Sequence, residues 1–159
     1  TRPSGSGGND LPPLTRQVTS TQREQAMSTR SRIAIQKNEG IVSVYCHWDG
    51  YPENNGAILN EHYLDPAKIN ELLSHGSIST LGSSAAATIF YGRDRGETGI
   101  EPEIAADEKG LLAMAGRCGE EYLYLFRDDT WHVASRGDGS PSGKWRKLST
   151  VLKKVAVSK

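Results

Sequence analysis

The sequence predicts an α+β fold: a single antiparallel β-sheet of about five strands with helices packed on it. Three observations predict it. Residues 31–36 and 41–46 alternate apolar with polar side chains, and residues 122–127 and 130–136 form a second such pair. Each pair is joined by a short turn, as in a β-hairpin. The segments between and after the pairs carry apolar residues at helical spacing.

In the first hairpin, Ile33 and Ile35 of SRIAIQ share one face, Lys37-Asn38-Glu39-Gly40 turns the chain, and IVSVYC returns. Asp49-Gly50-Tyr51-Pro52 then breaks the strand. A short helix capped by Asn54 or Asn55 runs through Leu64, with Ile58, Leu59 and Tyr63 on its apolar side. Asp65 is a good N-cap and Pro66 a good first helical residue. Ile69, Leu72 and Leu73 make that helix's buried stripe, and Gly76 ends it.

Further on, residues 85–91 (AAATIFY) read as a strand and residues 92–99 (GRDRGETG) as a charged, glycine-rich loop. A helix is expected over 103–115, closed by Gly116. The second hairpin turns at Asp128-Asp129. Tyr122, Tyr124 and Phe126 share one of its faces and Leu123 and Leu125 the other, as in a central strand. Residues 137–143 (GDGSPSG) form a flexible loop. Trp145, Leu148, Leu152 and Val155 then fall at helical spacing, so a helix is expected over 144–157. The order of elements is ββ-αα-β-α-ββ-α.

The 159 residues suit one domain, and its body is placed at 27–159. Residues 1–26, rich in Gly, Ser, Pro, Thr and Gln, have too little apolar surface to repay their ordering. They read as an arm, a leader or a remnant of cloning, with Met27 as the natural start. No apolar run approaches the roughly 20 residues of a membrane span. Cys46 and Cys118 lie in no CxxC or CxxH spacing, so no zinc knuckle is read. Free thiols in a reducing cytoplasm, without a cofactor, are the expectation.

Charge excludes one class. With 19 basic and 19 acidic side chains the net charge is zero, unlike a dedicated nucleic-acid coat. The distribution is uneven, however. Residues 144–159 carry Lys144, Arg146, Lys147, Lys153, Lys154 and Lys159 and no acid, whereas 27–143 hold 10 basic and 17 acidic residues. The tail can dock nucleic acid, an acidic partner or a second copy of the chain, or lie on its own acidic body.

Two stretches are candidate sites. Cys46-His47-Trp48-Asp49-Gly50-Tyr51-Pro52-Glu53-Asn54-Asn55-Gly56 gathers an imidazole, an indole, a phenol and two carboxylates at a strand end. In an extended chain His47 and Asp49 face the same way. With Glu53 after the turn and His62 on the next helix, they make a set for a divalent metal or for general acid and base. The plainer reading is a turn in which Asp49 bonds its own backbone and Trp48 fills the core. In the second stretch, Arg93 and Arg95 sit in a glycine-bounded loop suited to clasping a phosphate or carboxylate. Its plainer reading is a solvated loop whose Arg and Asp pair with each other. Nucleophilic catalysis finds little support, because Cys46 and His47 point to opposite faces of a strand.

Met27-Ser28-Thr29-Arg30-Ser31-Arg32-Ile33-Ala34-Ile35, then Tyr45-Cys46-His47-Trp48-Asp49-Gly50-Tyr51-Pro52 with Gly56, then the aromatic strand and its Trp131 hairpin carry a resemblance. Over residues 27–136 the sequence resembles a family of small, largely uncharacterised proteins of bacteriophages and prophages. No catalytic residue comes with that resemblance. It implies a small accessory product in the cytoplasm of an infected bacterium.

The expected function is a binding module that occupies a host or defence protein or sequesters a small phosphorylated ligand. His47, Trp48, Asp49, Tyr51, Glu53, Arg93 and Arg95 would supply its contacts, since aromatic and arginine side chains dominate binding hot spots. The alternatives are a small metal-dependent hydrolase of a phosphate-containing substrate, with His47, Asp49, Glu53 and His62 as ligands, and a structural part of a virion.

Overall fold

The structure, a computed structural model, describes residues 29–135 and 144–158. The expected arm at 1–26, the start at Met27 and the loop at 137–143 lie outside the described residues, as does the Val155 side chain. In chain order the first elements are β1 (Ser31–Lys37), β2 (Gly40–Cys46), a single π-helical turn (Pro52–Gly56), α1 (Ala57–His62) and α2 (Pro66–Ser74). Next come β3 (Ile78–Thr80), β4 (Ile89–Phe90), α3 (Tyr91–Arg95), β5 (Glu103–Ala105) and α4 (Glu108–Arg117). The last are β6 (Tyr122–Arg127), β7 (Thr130–Ser135), β8 (Arg146–Lys147) and α5 (Leu148–Ser158).

Both expected hairpins form. Ile33 lies opposite Val44 and Ile35 opposite Val42 in β1–β2. Gly40 closes that turn at φ 140°, where a Cβ would stand 2.7 Å from the Ala105 carbonyl oxygen. Asp128 and Asp129 turn β6 into β7 with φ of 53° and 57°. Two consecutive left-handed residues match the right-handed twist of hairpin strands. The helix after Asp65 is also as expected: the Asp65 carboxylate accepts from Ala67 N at 3.0 Å, and Ile69, Leu72 and Leu73 are buried.

The expected antiparallel sheet of five strands is corrected to an open, mixed sheet of eight among the described residues, in the order β4-β3-β2-β1-β6-β7-β8. β5 pairs with the same flank of β2 that β3 occupies further along. The two hairpins join through β1 and β6, which run parallel with Ser31 opposite Tyr122 and Ile33 opposite Tyr124. A hairpin specifies its own pairing locally but not its neighbour. β1 and β6 are buried on both faces, so setting them side by side shields both. The long chain between them supplies the crossover that a parallel pair requires.

Each face of the sheet has its own core. On one, Ile33, Ile35, Val44, Tyr124, Phe126, Trp131 and Val133 pack under Leu59, Ile69, Leu72, Leu73 and Leu148 of α1, α2 and α5. Trp131 Nε1 donates to the Tyr63 carbonyl at 2.8 Å, which satisfies the one polar atom of that ring. On the other face Ala34, Ile41, Leu123, Leu125 and Ala134, all buried, meet Leu111, Met114 and Ala115 of α4.

Other elements differ from expectation for local reasons. The strand at 85–91 shrinks to Ile89–Phe90, because Thr88 Oγ1 donates to the Ser84 carbonyl and accepts from Gly82 N, holding the preceding residues in a turn. The loop at 92–99 begins as a helical turn, α3, whose Asp94 carboxylate accepts from Phe90 N at 2.8 Å. The helix expected from residue 103 starts only at Glu108, where Asp107 accepts from Gly110 N, and residues 103–105 are a strand. The tail helix starts at Leu148, since Arg146 and Lys147 pair with β7. The helix expected from Asn54 or Asn55 opens instead on the π-helical turn at Pro52.

Candidate functional site

The strand end that the sequence singles out is a firmly held turn. His47 N donates to Ile78 O at 3.0 Å and Trp48 N to Ser79 O at 3.1 Å, so β2 remains tied to β3 beyond its last residue. Asp49 reverses the chain at φ 53°. Gly50 N donates to Thr29 O at 2.8 Å, and the Tyr124 hydroxyl donates to Gly50 O at 2.5 Å. A Cβ on Gly50 would stand 2.7 Å from the Thr29 carbonyl oxygen, so only glycine fits. Beneath the turn, the buried Asn55 amide reaches Ser31 Oγ at 3.3 Å, Cys46 Sγ at 3.3 Å and Trp48 O at 3.4 Å. Burial pushes the Cys46 thiol up to about 12.

On this frame the ring side chains stand half-exposed. His47 and Trp48 meet edge to face at 4.5 Å between centroids. The Tyr45 hydroxyl and His47 Nδ1 lie 2.6 Å apart. Burial pushes the Tyr45 phenol up to about 12, against the pull of Arg30. Tyr51 bends back on the turn, its hydroxyl 3.4 Å from Asp49 Oδ1. That carboxylate is the first cause of a raised Tyr51 phenol. Glu53 is exposed on the π-helical turn.

The other named residues do not join them. Arg93 Nη1 donates to Ala85 O at 2.9 Å and Nη2 to Thr88 O at 2.7 Å, and the guanidinium also holds Asp94 and covers the Phe90 ring at 4.7 Å. It ties the 84–88 turn to α3, and the Arg–Asp pairing expected of the plainer reading is present. Arg93 in turn holds the Asp94 carboxyl below the usual carboxylate range. Arg95 lies 5.3 Å from the Tyr91 ring centroid. His62 faces Glu61 at 3.3 Å. The structure does not bring His47, Asp49, Glu53 and His62 together as the metal set expected of them. The left-handed residue at Asp49 turns the strand, so the alternation that aligned it with His47 ends there. Among the described residues no group of three or more His, Cys, Asp and Glu side chains is placed to hold a metal.

Sequence reasoning missed the most unusual polar group of the fold. Arg32 is directly opposite Tyr45 in the β1–β2 register, hence on the same sheet face. Its guanidinium is 1% exposed. Nε donates to Glu120 Oε1 at 2.8 Å, and Nη1 donates to Ser43 Oγ at 2.9 Å and to Glu103 Oε1 at 3.0 Å. Nη2 lies 3.6 Å from the exposed thiol of Cys118. Glu120 is wholly buried, and its Oε2 has no hydrogen-bond partner among the described residues. Burial pushes this carboxyl up to about 7, against the pull of Arg32. The only signal for the pair is a charged residue inside an apolar strand, and 88 residues separate its members.

The chain matches no protein-family model, no curated protein and no solved structure.

Proposed function

We propose that the chain is a binding module whose contact surface is the strand end around Tyr45, His47 and Trp48. One observation carries the reading: half-exposed rings sit on a turn whose backbone is fastened by buried Asn55, Tyr124 and Gly50. Aromatic anchors held before binding lose little freedom on contact, which is how a small surface gains affinity. Arg30, exposed on the same side, adds a cation at its rim. Asp49 and Tyr51 shape this surface through their mutual contact, while Arg93 serves the fold. The resemblance to small phage and prophage proteins supports a host or defence protein as the partner. No helix among the described residues is long and apolar enough to cross a membrane.

The test is affinity capture from phage-infected bacterial lysate with the wild-type chain, Trp48→Ala and His47→Ala, read by quantitative mass spectrometry. A partner enriched by the wild type and lost with Trp48→Ala, at unchanged melting temperature, supports the reading. Equal recovery with all three chains removes it.

A further inference from the structure

A second surface lies on the opposite side of the sheet, where the helices α1, α2 and α5 pack. A cleft of about 200 Å³ opens there between the π-helical turn, the ends of β7 and β8, and α5. Pro52, Val133 and Val151 line it with apolar surface, and Ser135, Lys144 and Arg146 with polar atoms. The β7–β8 register explains the mixture. Arg146 lies opposite Val133, whose side chain belongs to the core on this face, so the two project the same way. Trp145, one residue earlier, packs on the other face. A strand of two residues thus sends its indole neighbour to one core and its guanidinium to the cleft.

The electrostatics point the same way. Arg32, Arg93 and Arg127 are each paired with a carboxylate; Arg146, like Arg30, Arg95 and Arg117, makes no ion pair among the described residues, and of these it alone lines the cleft. No acid occurs anywhere in 144–159. A guanidinium offers a planar fork that matches phosphate oxygens. The size then limits the ligand. Sites for drug-sized molecules run to about 300–1,000 Å³, so this cleft suits a charged head with one small apolar group.

We propose that the cleft binds a small phosphate monoester. Arg146 grips the phosphate, with the Ser135 hydroxyl beside it, and the organic group lies on Pro52, Val133 and Val151. The site is separate from the ring surface around Trp48.

Calorimetric titration of the full chain with phenyl phosphate tests this, with inorganic phosphate, phenol and a short oligothymidylate as comparisons. Phenyl phosphate is expected to bind at least about tenfold more tightly than inorganic phosphate, and phenol not to bind. Arg146→Ala should weaken phenyl phosphate by about tenfold or more. Val151→Trp, which fills the cleft, should abolish its binding while circular dichroism stays unchanged. Trp48→Ala should leave it intact. Equal affinity for inorganic and phenyl phosphate, indifference to Arg146→Ala, or binding of the oligonucleotide alone each overturns the proposal.

Discussion

Arg32 donates to Glu120 at 2.8 Å with both side chains sealed from solvent, at 1% and 0% exposure. An ion pair in that setting stabilises little by itself, because desolvation offsets the attraction. Losing one member is another matter, since the survivor stays buried and uncompensated. Arg32→Met is expected to destabilise the fold by about 3–5 kcal/mol. The double replacement Arg32→Met with Glu120→Leu should recover much of that loss. Urea denaturation of the two variants beside the wild type reads both effects. A double variant no more stable than the single one would contradict the account.

The same carboxyl makes stability depend on pH. Burial raises Glu120 from its ordinary 4.5 to about 7 in the folded chain, although Arg32 and Arg30 pull it down and Glu103 adds to the rise. Between those values the folded protein holds a proton that the unfolded chain has released. Stability from this group is therefore fully present below about pH 4.5 and is lost as pH rises to about 7, by an amount on the order of 1–3 kcal/mol. Melting temperature should fall from about pH 4.5 to about pH 7. Glu120→Gln should flatten that part of the profile.

Asn55 should matter beyond its size. Its amide is the common partner of Ser31, Cys46 and the Trp48 carbonyl. Asn55→Ala is expected to cost about 1–3 kcal/mol by leaving buried polar atoms unmatched. It should also loosen the turn that presents Trp48. Faster amide hydrogen exchange at Trp48 and Gly50, measured by NMR, is the corresponding signature.

The two thiols should separate cleanly. Cys46 is buried and raised to about 12, while Cys118 is exposed. Iodoacetamide at about pH 8 should label Cys118 in the native protein and reach Cys46 only after unfolding. Peptide mass spectrometry after brief labelling distinguishes them.

The β6–β7 turn leaves room for improvement. Asp128 and Asp129 both adopt left-handed backbone, which Asn-Gly adopts at lower cost. Replacing the pair by Asn-Gly should stabilise the chain by up to about 1 kcal/mol, visible as a higher urea midpoint.

The hairpins, the Asp65 cap and the Ile69–Leu72–Leu73 stripe were legible because each rests on neighbours within a few residues. The strands 78–80, 103–105 and 146–147 were not, for two or three residues show no period, and the strand at 85–91 was read longer than its two paired residues. The mixed character of the sheet was hidden for a different reason: the parallel joint of Ser31 with Tyr122 is a relation between distant segments. At the candidate site, Asp49-Gly50 and Tyr51-Pro52 announced a turn. Nothing local showed that Asn55 and Tyr124 would fasten it. Arg93 looked like a loop cation and instead ties the 84–88 turn to α3. Arg32 and Glu120 each looked ordinary, and only the assembled sheet makes them a buried pair.

The parallel joint also bears on how the chain is made. β1 gains one partner within a few residues, but its other flank waits for β6, which emerges from the ribosome much later. Until then Ile33, Ala34 and Ile35 offer an uncovered apolar ribbon, the kind of surface that recruits chaperones or clumps with its own copies. Nascent chains halted ahead of Tyr122 should therefore precipitate or cling to chaperones, whereas those extended past Ser135 should be released as free monomeric units or as whatever assembly the mature surface allows.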